Sequence, residues 1–359
     1  MSKTNVLPDL MMRKFNQRKN ARKLRMQSPN GIAESRYVTV GGIEQWISIR
    51  GENRRNPILL FVHGGPASSY SIFSPLIRTW EKHFTIVQWD QRGAGRTFGK
   101  NGKEGCGEIS FDRLVRDGIE VTEYLLRSLG QDKLILVGSS VGSVIGTQMA
   151  NRRPELFYAY VGTDQNVDIE GHKLSYRLNL EGLRAAGCAK GVKLFEQIGP
   201  DPSLWSLEDF DHKNRWMVKV VTSAPNMIMD LVLPSMLASP EHSFRDILTY
   251  FKGMNHSLEQ LYGELIAWDA RKIGTRYEVP YFIFQGDTDL VTPVETARSF
   301  FEDIEAPHKE FALIRDAGHL ACFARPEPFL ELLIQRVLPW TGRDLQAADG
   351  PGAAKLRAI

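Results

Sequence analysis

Cysteine is scarce in this chain: Cys106, Cys188 and Cys322 are scattered, and no two share a CxxC spacing. A sparse, odd count argues against a disulfide framework and against a zinc site, and for reduced thiols in a cytoplasmic setting. No run of about 18 apolar residues occurs, so no membrane-spanning helix is expected. Nor does an apolar stretch of about 7–15 residues follow the N-terminal charges, as a secretory signal would require. There is no Walker-type loop, no dinucleotide fingerprint, no metal-ligand cluster and no internal repeat, so neither a cofactor nor a metal is implied. What remains is ordinary for a globular protein: 359 residues, 42% hydrophobic, 24% charged and 10% aromatic, enough to bury a large core.

The formal net charge of +3 is unevenly spread. Lys3, Arg13, Lys14, Arg18, Lys19, Arg22, Lys23 and Arg25 stand against Asp9 alone in the first 33 residues, so the rest of the chain is net acidic. Such an arm can meet nucleic acid, a membrane surface or an import receptor. Its thin apolar content reads instead as a solvated, partly helical leader (1–34) folded back on the body, with no nucleic-acid partner expected.

Beyond the arm, Tyr37–Val40 and Ile43–Ile49 flank Gly41-Gly42, a hairpin signal. Short continuous apolar runs at 57–62, 84–89, 134–137, 158–161, 281–284 and 311–314 suit strands buried on both faces. Helix-period stretches lie between them, notably 111–129 and 140–150. The alternation predicts an α/β fold with a mainly parallel, doubly wound sheet. From 168 to 273 the alternation stops and the chain reads as helical and rich in Met and aromatics. The expected organisation is therefore an arm (1–34), a core (35–167 and 274–341), a helical cap (168–273) and a disordered tail (342–359). The cap is inserted before the strand that leads to the acid named below.

The chemistry-bearing signal is Gly138-Ser139-Ser140-Val141-Gly142, a G-x-S-x-G pentapeptide between an apolar strand and a helical stretch. A serine on that turn is exposed, and the helix N-terminus favours negative charge beside it. Ser140 is the central position; Ser139 and Ser143 lack the required spacing. A serine hydroxyl needs a base, and the base needs an orienting acid. The strand 281–284 runs into Asp287-Thr288-Asp289, and the strand 311–314 runs into Gly318-His319. His319 is the expected base and Asp289 the expected acid, with Asp287 the alternative. A third loop, His63-Gly64-Gly65-Pro66-Ala67, follows the strand 57–62. Its Gly65 N–H, with that of Val141, is a candidate donor to an oxyanion, and His63 reads as a residue that fixes the loop.

These motifs, with Trp89-Asp90-Gln91-Arg92-Gly93-Ala94-Gly95-Arg96-Thr97, resemble the proline iminopeptidase (prolyl aminopeptidase) family of α/β-hydrolases over roughly residues 35–340. The resemblance implies Ser140, Asp289 and His319 as triad, Gly65 and Val141 as oxyanion donors, and the helical insertion as a cap. The sequence departs from the family pattern at Ala67 (usually Gly) and Val141 (usually Trp). The family's cap motif, a glutamate beside an Asn-His-Tyr run that helps hold the substrate's free amine, is absent. Glu264 and Asp269 are the candidates to replace it, and Trp268 is the candidate apolar wall. The expected activity is a serine hydrolase forming an acyl-enzyme on a short-peptide or small-molecule amide or ester. A prolyl-type aminopeptidase, an esterase or lactonase for a hydrophobic small molecule, and a triad-retaining ligand sensor all remain open.

Overall fold

A computed structural model describes residues 6–342 apart from Val218 and Val221. The predicted disordered tail, 342–359, lies outside the described residues except for Gly342. Eight strands form one sheet: β1 (Ile32–Val40), β2 (Ile43–Gly51), β3 (Ile58–Val62), β4 (Thr85–Asp90), β5 (Leu134–Ser139), β6 (Phe157–Thr163), β7 (Tyr281–Gly286) and β8 (Lys309–Ile314). Their spatial order is β1-β2-β4-β3-β5-β6-β7-β8. The first two pairings, β1 with β2 and β2 with β4, are antiparallel, and every later one is parallel. The hairpin turn falls at Gly41 and Gly42, whose φ angles of 56° and 79° suit a tight turn that side chains would strain. β1 begins at Ile32, ahead of the Tyr37 at which the predicted hairpin opens.

The apolar runs are continuous because both faces of the sheet are covered. In β3, Ile58, Leu60 and Val62 enter one core, while Leu59 and Phe61 enter the other. Helices Phe111–Leu129 and Val141–Arg152 cover the first face through Leu114, Val121, Ile145 and Met149. The second face is closed by Phe73, Trp80, Phe323 and Phe329. Helix Phe111–Leu129 starts where the Ser110 side chain accepts from Arg113 N–H, and ends at Gly130 in the left-handed region. Among the described residues, the chain between β6 and β7 holds helices and no strand: 169–185, 189–198, 207–217, 227–238 and 244–266. Among the described residues, no helix is long and apolar enough to cross a membrane.

The Asp90–Thr97 stretch anchors the sheet's carboxyl edge to its hairpin. Arg92 Nε and Gln45 Nε2 both donate to Asp117 Oδ2 at 2.8 Å, and Arg113 reaches Asp117 Oδ1 at 2.6 Å. Arg92 also donates to the Gly41 carbonyl at 2.8 Å. Asp117 is wholly buried and Arg92 nearly so, so deleting either strands a charge away from water. Asp117→Ala is expected to lower stability by about 3–5 kcal/mol, read as a fall in the urea midpoint. A change within the range of an exposed ion pair, about 1 kcal/mol or less, would show the network to be marginal.

Candidate active site

Five loops meet at the carboxyl ends of β3, β5, β6, β7 and β8, where open α/β sheets place their ligands. Non-glycine residues with positive φ are rare and costly, and among the described residues they all lie in these loops: Ala67, Ser140, Asp164, Asp316 and Leu320. Ser140, at φ 54°, joins β5 directly to helix Val141–Arg152. Small residues let the loops close around it. A Cβ on Gly64 would sit 2.6 Å from the Ser140 Cβ, and one on Gly142 would sit 2.0 Å from the Val62 carbonyl oxygen.

The three residues singled out as nucleophile, base and acid come together. Ser140 Oγ lies 3.0 Å from His319 Nε2, and His319 Nδ1–H donates to Asp289 Oδ2 at 2.9 Å. Asp289 is positioned in turn by N–H groups of Val291 (2.8 Å) and Thr292 (3.0 Å), by the Thr292 hydroxyl (2.8 Å) and by Gln285 Nε2 (3.2 Å). Asp287, the alternative acid, is exposed and accepts from Ala317 N–H at 3.2 Å, which shapes the loop before His319. Ser139 and Ser143 are engaged elsewhere. Ser143 Oγ donates to the Ser140 carbonyl at 2.6 Å, and Ser139 Oγ meets Tyr70 OH and Asp164 Oδ2, each at 2.8 Å.

Gly65 N–H makes no hydrogen bond to the described residues, and Val141 N–H lies in the first turn of its helix, where no preceding turn offers a carbonyl. His63 is buried between two backbones: Nδ1–H donates to the Gly64 carbonyl at 3.1 Å and Nε2 accepts from Gln91 N–H at 3.2 Å. Burial lowers its pKa to about 4, so it is neutral and fixes the loop. The three candidates from the helical stretch lie elsewhere. Glu264 accepts from Phe111 N–H at 3.1 Å, which caps helix Phe111–Leu129. Asp269 accepts from Arg271 N–H at 3.0 Å, capping a short turn, and the Trp268 ring packs edge-on against Phe111. Neither carboxylate hydrogen-bonds to the Ser140–His319–Asp289 group.

Sequence reasoning missed Asp164. It follows β6, is fully buried, and accepts from Ser139 Oγ with one oxygen and from Ala321 N–H (3.2 Å) with the other. Nothing in its neighbourhood in sequence forms a motif; only the parallel pairing of β6 between β5 and β7 brings it here. Asp164, Asp289 and His319 each hold one ligand-type atom within 4.8 Å of the others, a spacing that a metal ion could also use. Here each of those groups is already engaged in the hydrogen bonds above.

Two carboxylates therefore surround one imidazole. Burial opposes charging His319, but the Asp289 charge, its hydrogen bond and the Asp164 charge prevail and raise the pKa to about 9. Burial also pushes the Asp164 carboxyl up to about 6, against the pull of His319.

A profile for the alpha/beta hydrolase fold matches residues 57–180. The chain has the α/β-hydrolase fold. It is 27% identical to a probable aminopeptidase of Bacillus subtilis over 84% of this chain and 95% of that protein. Against a proline iminopeptidase of Lactobacillus delbrueckii subsp. bulgaricus it is 22% identical, over 83% and 95% respectively. In three dimensions it superposes on a proline iminopeptidase-related protein of Thermus thermophilus with a TM-score of 0.59 at 20% identity, covering 84% of this chain and 96% of the other. The likeness to proline iminopeptidases read from the motifs thus extends along most of this chain.

Only neutral His319 can accept a proton, so a raised pKa moves its useful range upward. The rate at which a fluorophosphonate labels Ser140 should rise with pH and reach half its maximum near 9 rather than near 6.5. Asp164→Asn removes one of the charges that favour the imidazolium and should move that midpoint to lower pH. A midpoint unmoved by Asp164→Asn would show that this carboxylate does not act on His319.

Proposed function

We propose that this α/β-hydrolase is a serine hydrolase that cleaves a carboxylic ester or amide through an acyl-enzyme. The observation that carries this reading is the hydrogen-bonded line from Ser140 Oγ through His319 to Asp289, at 3.0 and 2.9 Å. Ser140 Oγ attacks the substrate carbonyl carbon as its proton passes to His319 Nε2. The Gly65 and Val141 N–H groups receive the oxyanion; one such donor is worth about 3–4 kcal/mol in the transition state. Asp289 holds the Nδ1–H tautomer and stabilises the imidazolium. His319 then gives its proton to the leaving oxygen or nitrogen, the C–O or C–N bond breaks, and Ser140 carries the acyl group. Water, deprotonated by His319, attacks the acyl carbon, the bond to Ser140 Oγ breaks as His319 returns the proton to that oxygen, and the acid leaves.

Two substrate classes compete. The relatives' names support a peptidase acting on a free N-terminal amine. A buried ammonium needs carboxylates beside it, and the two carboxylates best placed in sequence, Glu264 and Asp269, cap helical turns instead. Val141 in place of a large aromatic also leaves room beside the nucleophile. These points favour an uncharged small-molecule ester as the substrate. The unpaired cysteines support a reducing, cytoplasmic setting.

Ser140→Ala should abolish both labelling and turnover, and Asp289→Asn should lower kcat by roughly 10⁴-fold while Asp287→Asn changes little. Aryl and lactone esters should exceed a free-amine prolyl-arylamide by at least about tenfold in kcat/KM, a difference of about 1.4 kcal/mol. Strong turnover of the prolyl-arylamide, lost on N-acetylation, would instead establish the aminopeptidase. Turnover surviving in Ser140→Ala would remove the serine mechanism altogether. Absence of turnover in the intact chain, with tight binding of a small ligand, would favour a sensor.

A further inference from the structure

The basic N-terminal arm takes no part in the chemistry above, yet it is held in a defined orientation. Helix Arg13–Lys23 buries none of its own residues. It is tied down by polar side chains: Arg13, Gln17 and Asn20 donate to the carbonyls of His242, Ser239 and Ala238 at 2.8, 2.8 and 3.0 Å. With buried Leu24, these residues recur at i, i+4, i+7 and i+11, so they define the inward face. The outward face carries Phe15, Arg18, Lys19 and Arg22, all exposed. None of those three cations forms an ion pair among the described residues.

Next to the arm begins helix Phe244–Ile266, and it presents an apolar stripe to solvent. Phe244, Leu248 and Phe251, again at i, i+4 and i+7, are 54%, 64% and 48% exposed. The Arg13 guanidinium lies 4.0 Å above the Phe244 ring, which joins the stripe to the arm, where Phe15 is 61% exposed. Asp246, the acid in the first turn of that helix, is occupied in a capping box with Ser243. The arm and the stripe thus meet at Arg13, and between them they carry four exposed large apolar side chains and three cations with no ion pair among the described residues.

We propose that this surface docks the protein reversibly on an anionic phospholipid bilayer. Isolated exposed apolar side chains are ordinary; a helical stripe of them next to unpaired cations is the pattern of interfacial binding. Anionic headgroups satisfy the cations while the acyl boundary accepts the phenyl and leucyl groups. A nucleic acid would use the charges and leave the stripe in water. A second copy meeting the same patch would set two basic helices against each other. Tyr250, on the same helix as the stripe, hydrogen-bonds through its hydroxyl to Ser68, three residues past Gly65. Docking would therefore hold the oxyanion loop close to the lipid surface, where amphiphilic esters are concentrated.

The test is co-sedimentation of the full chain with vesicles of phosphatidylcholine alone and of phosphatidylcholine with an equal part of phosphatidylserine. Binding is expected to the second and not the first, and to weaken as salt is added. The combined Arg18→Glu, Lys19→Glu and Arg22→Glu variant should lose binding by at least about tenfold. Phe15→Ser with Leu248→Ser should weaken it by several-fold. Fluorophosphonate labelling of Ser140 should be unchanged in both variants, which verifies that they fold. Anionic-vesicle binding that ignores Phe15→Ser and Leu248→Ser would reduce the arm to a charge adsorber and overturn the proposal. So would failure to bind either vesicle, whether the patch then proved to mediate dimerisation or duplex nucleic-acid binding.

Discussion

The backbone of Ser140, held at φ 54° between a strand and a helix, is the constraint from which the rest of the site follows. A serine in that conformation costs of order 1–3 kcal/mol and persists only where its surroundings leave no alternative. Here they are set by close approach. Gly64 lies against the Ser140 side chain, Gly142 against the Val62 and His63 carbonyls, and Gly286 against those of Ala317 and Gly318. Each contact leaves no room for a Cβ, so the ends of β3, β5 and β7 and the His319 loop can meet only with glycine there. The same closeness brings His319 to 3.0 Å from Ser140 without any long side chain having to bridge a gap.

Much of this was legible in the sequence because it is local. Runs such as Ile58–Val62 are apolar throughout, since alternate residues feed two cores, and Gly41-Gly42 marks the turn by its two positive φ angles. The order of Ser140, Asp289 and His319 follows strand order, so a strand reading already orders the site. His319 meets Asp289 and not Asp287, and the Asp289 carboxylate also collects the N–H groups of Val291 and Thr292, a detail of loop geometry that spacing alone does not reveal.

What stayed hidden depends on tertiary placement or on polar contacts, which leave no periodic trace. Asp164 becomes a neighbour of His319 only through the pairing of β6. Glu264 was attractive as an amine ligand, but a glutamate beside the start of another helix satisfies an orphan N–H of that helix equally well. The arm is attached by side chains reaching carbonyls, so helix Arg13–Lys23 has an inward face without an apolar stripe to announce it.

Asp164 raises the question of what a second carboxylate contributes beside an imidazole that already has one. A stronger base transfers protons more readily, but a base with a pKa near 9 is only a few per cent neutral at pH 7.5. If about half of the added basicity reaches the transition state, gain and loss nearly cancel at neutral pH, each within about an order of magnitude to an order and a half. Most of that rise comes from Asp289 and the least from Asp164, so base strength alone does not account for Asp164. Its two oxygens also form a link: one accepts from Ser139, which precedes the nucleophile, and the other from Ala321, two residues past His319. The carboxylate thus ties the turn that carries Ser140 to the loop that carries His319. An asparagine can keep both connections, accepting from Ala321 and donating to the Ser139 hydroxyl, while it removes the charge. The positional and electrostatic effects of Asp164 are in that way separable by a single substitution.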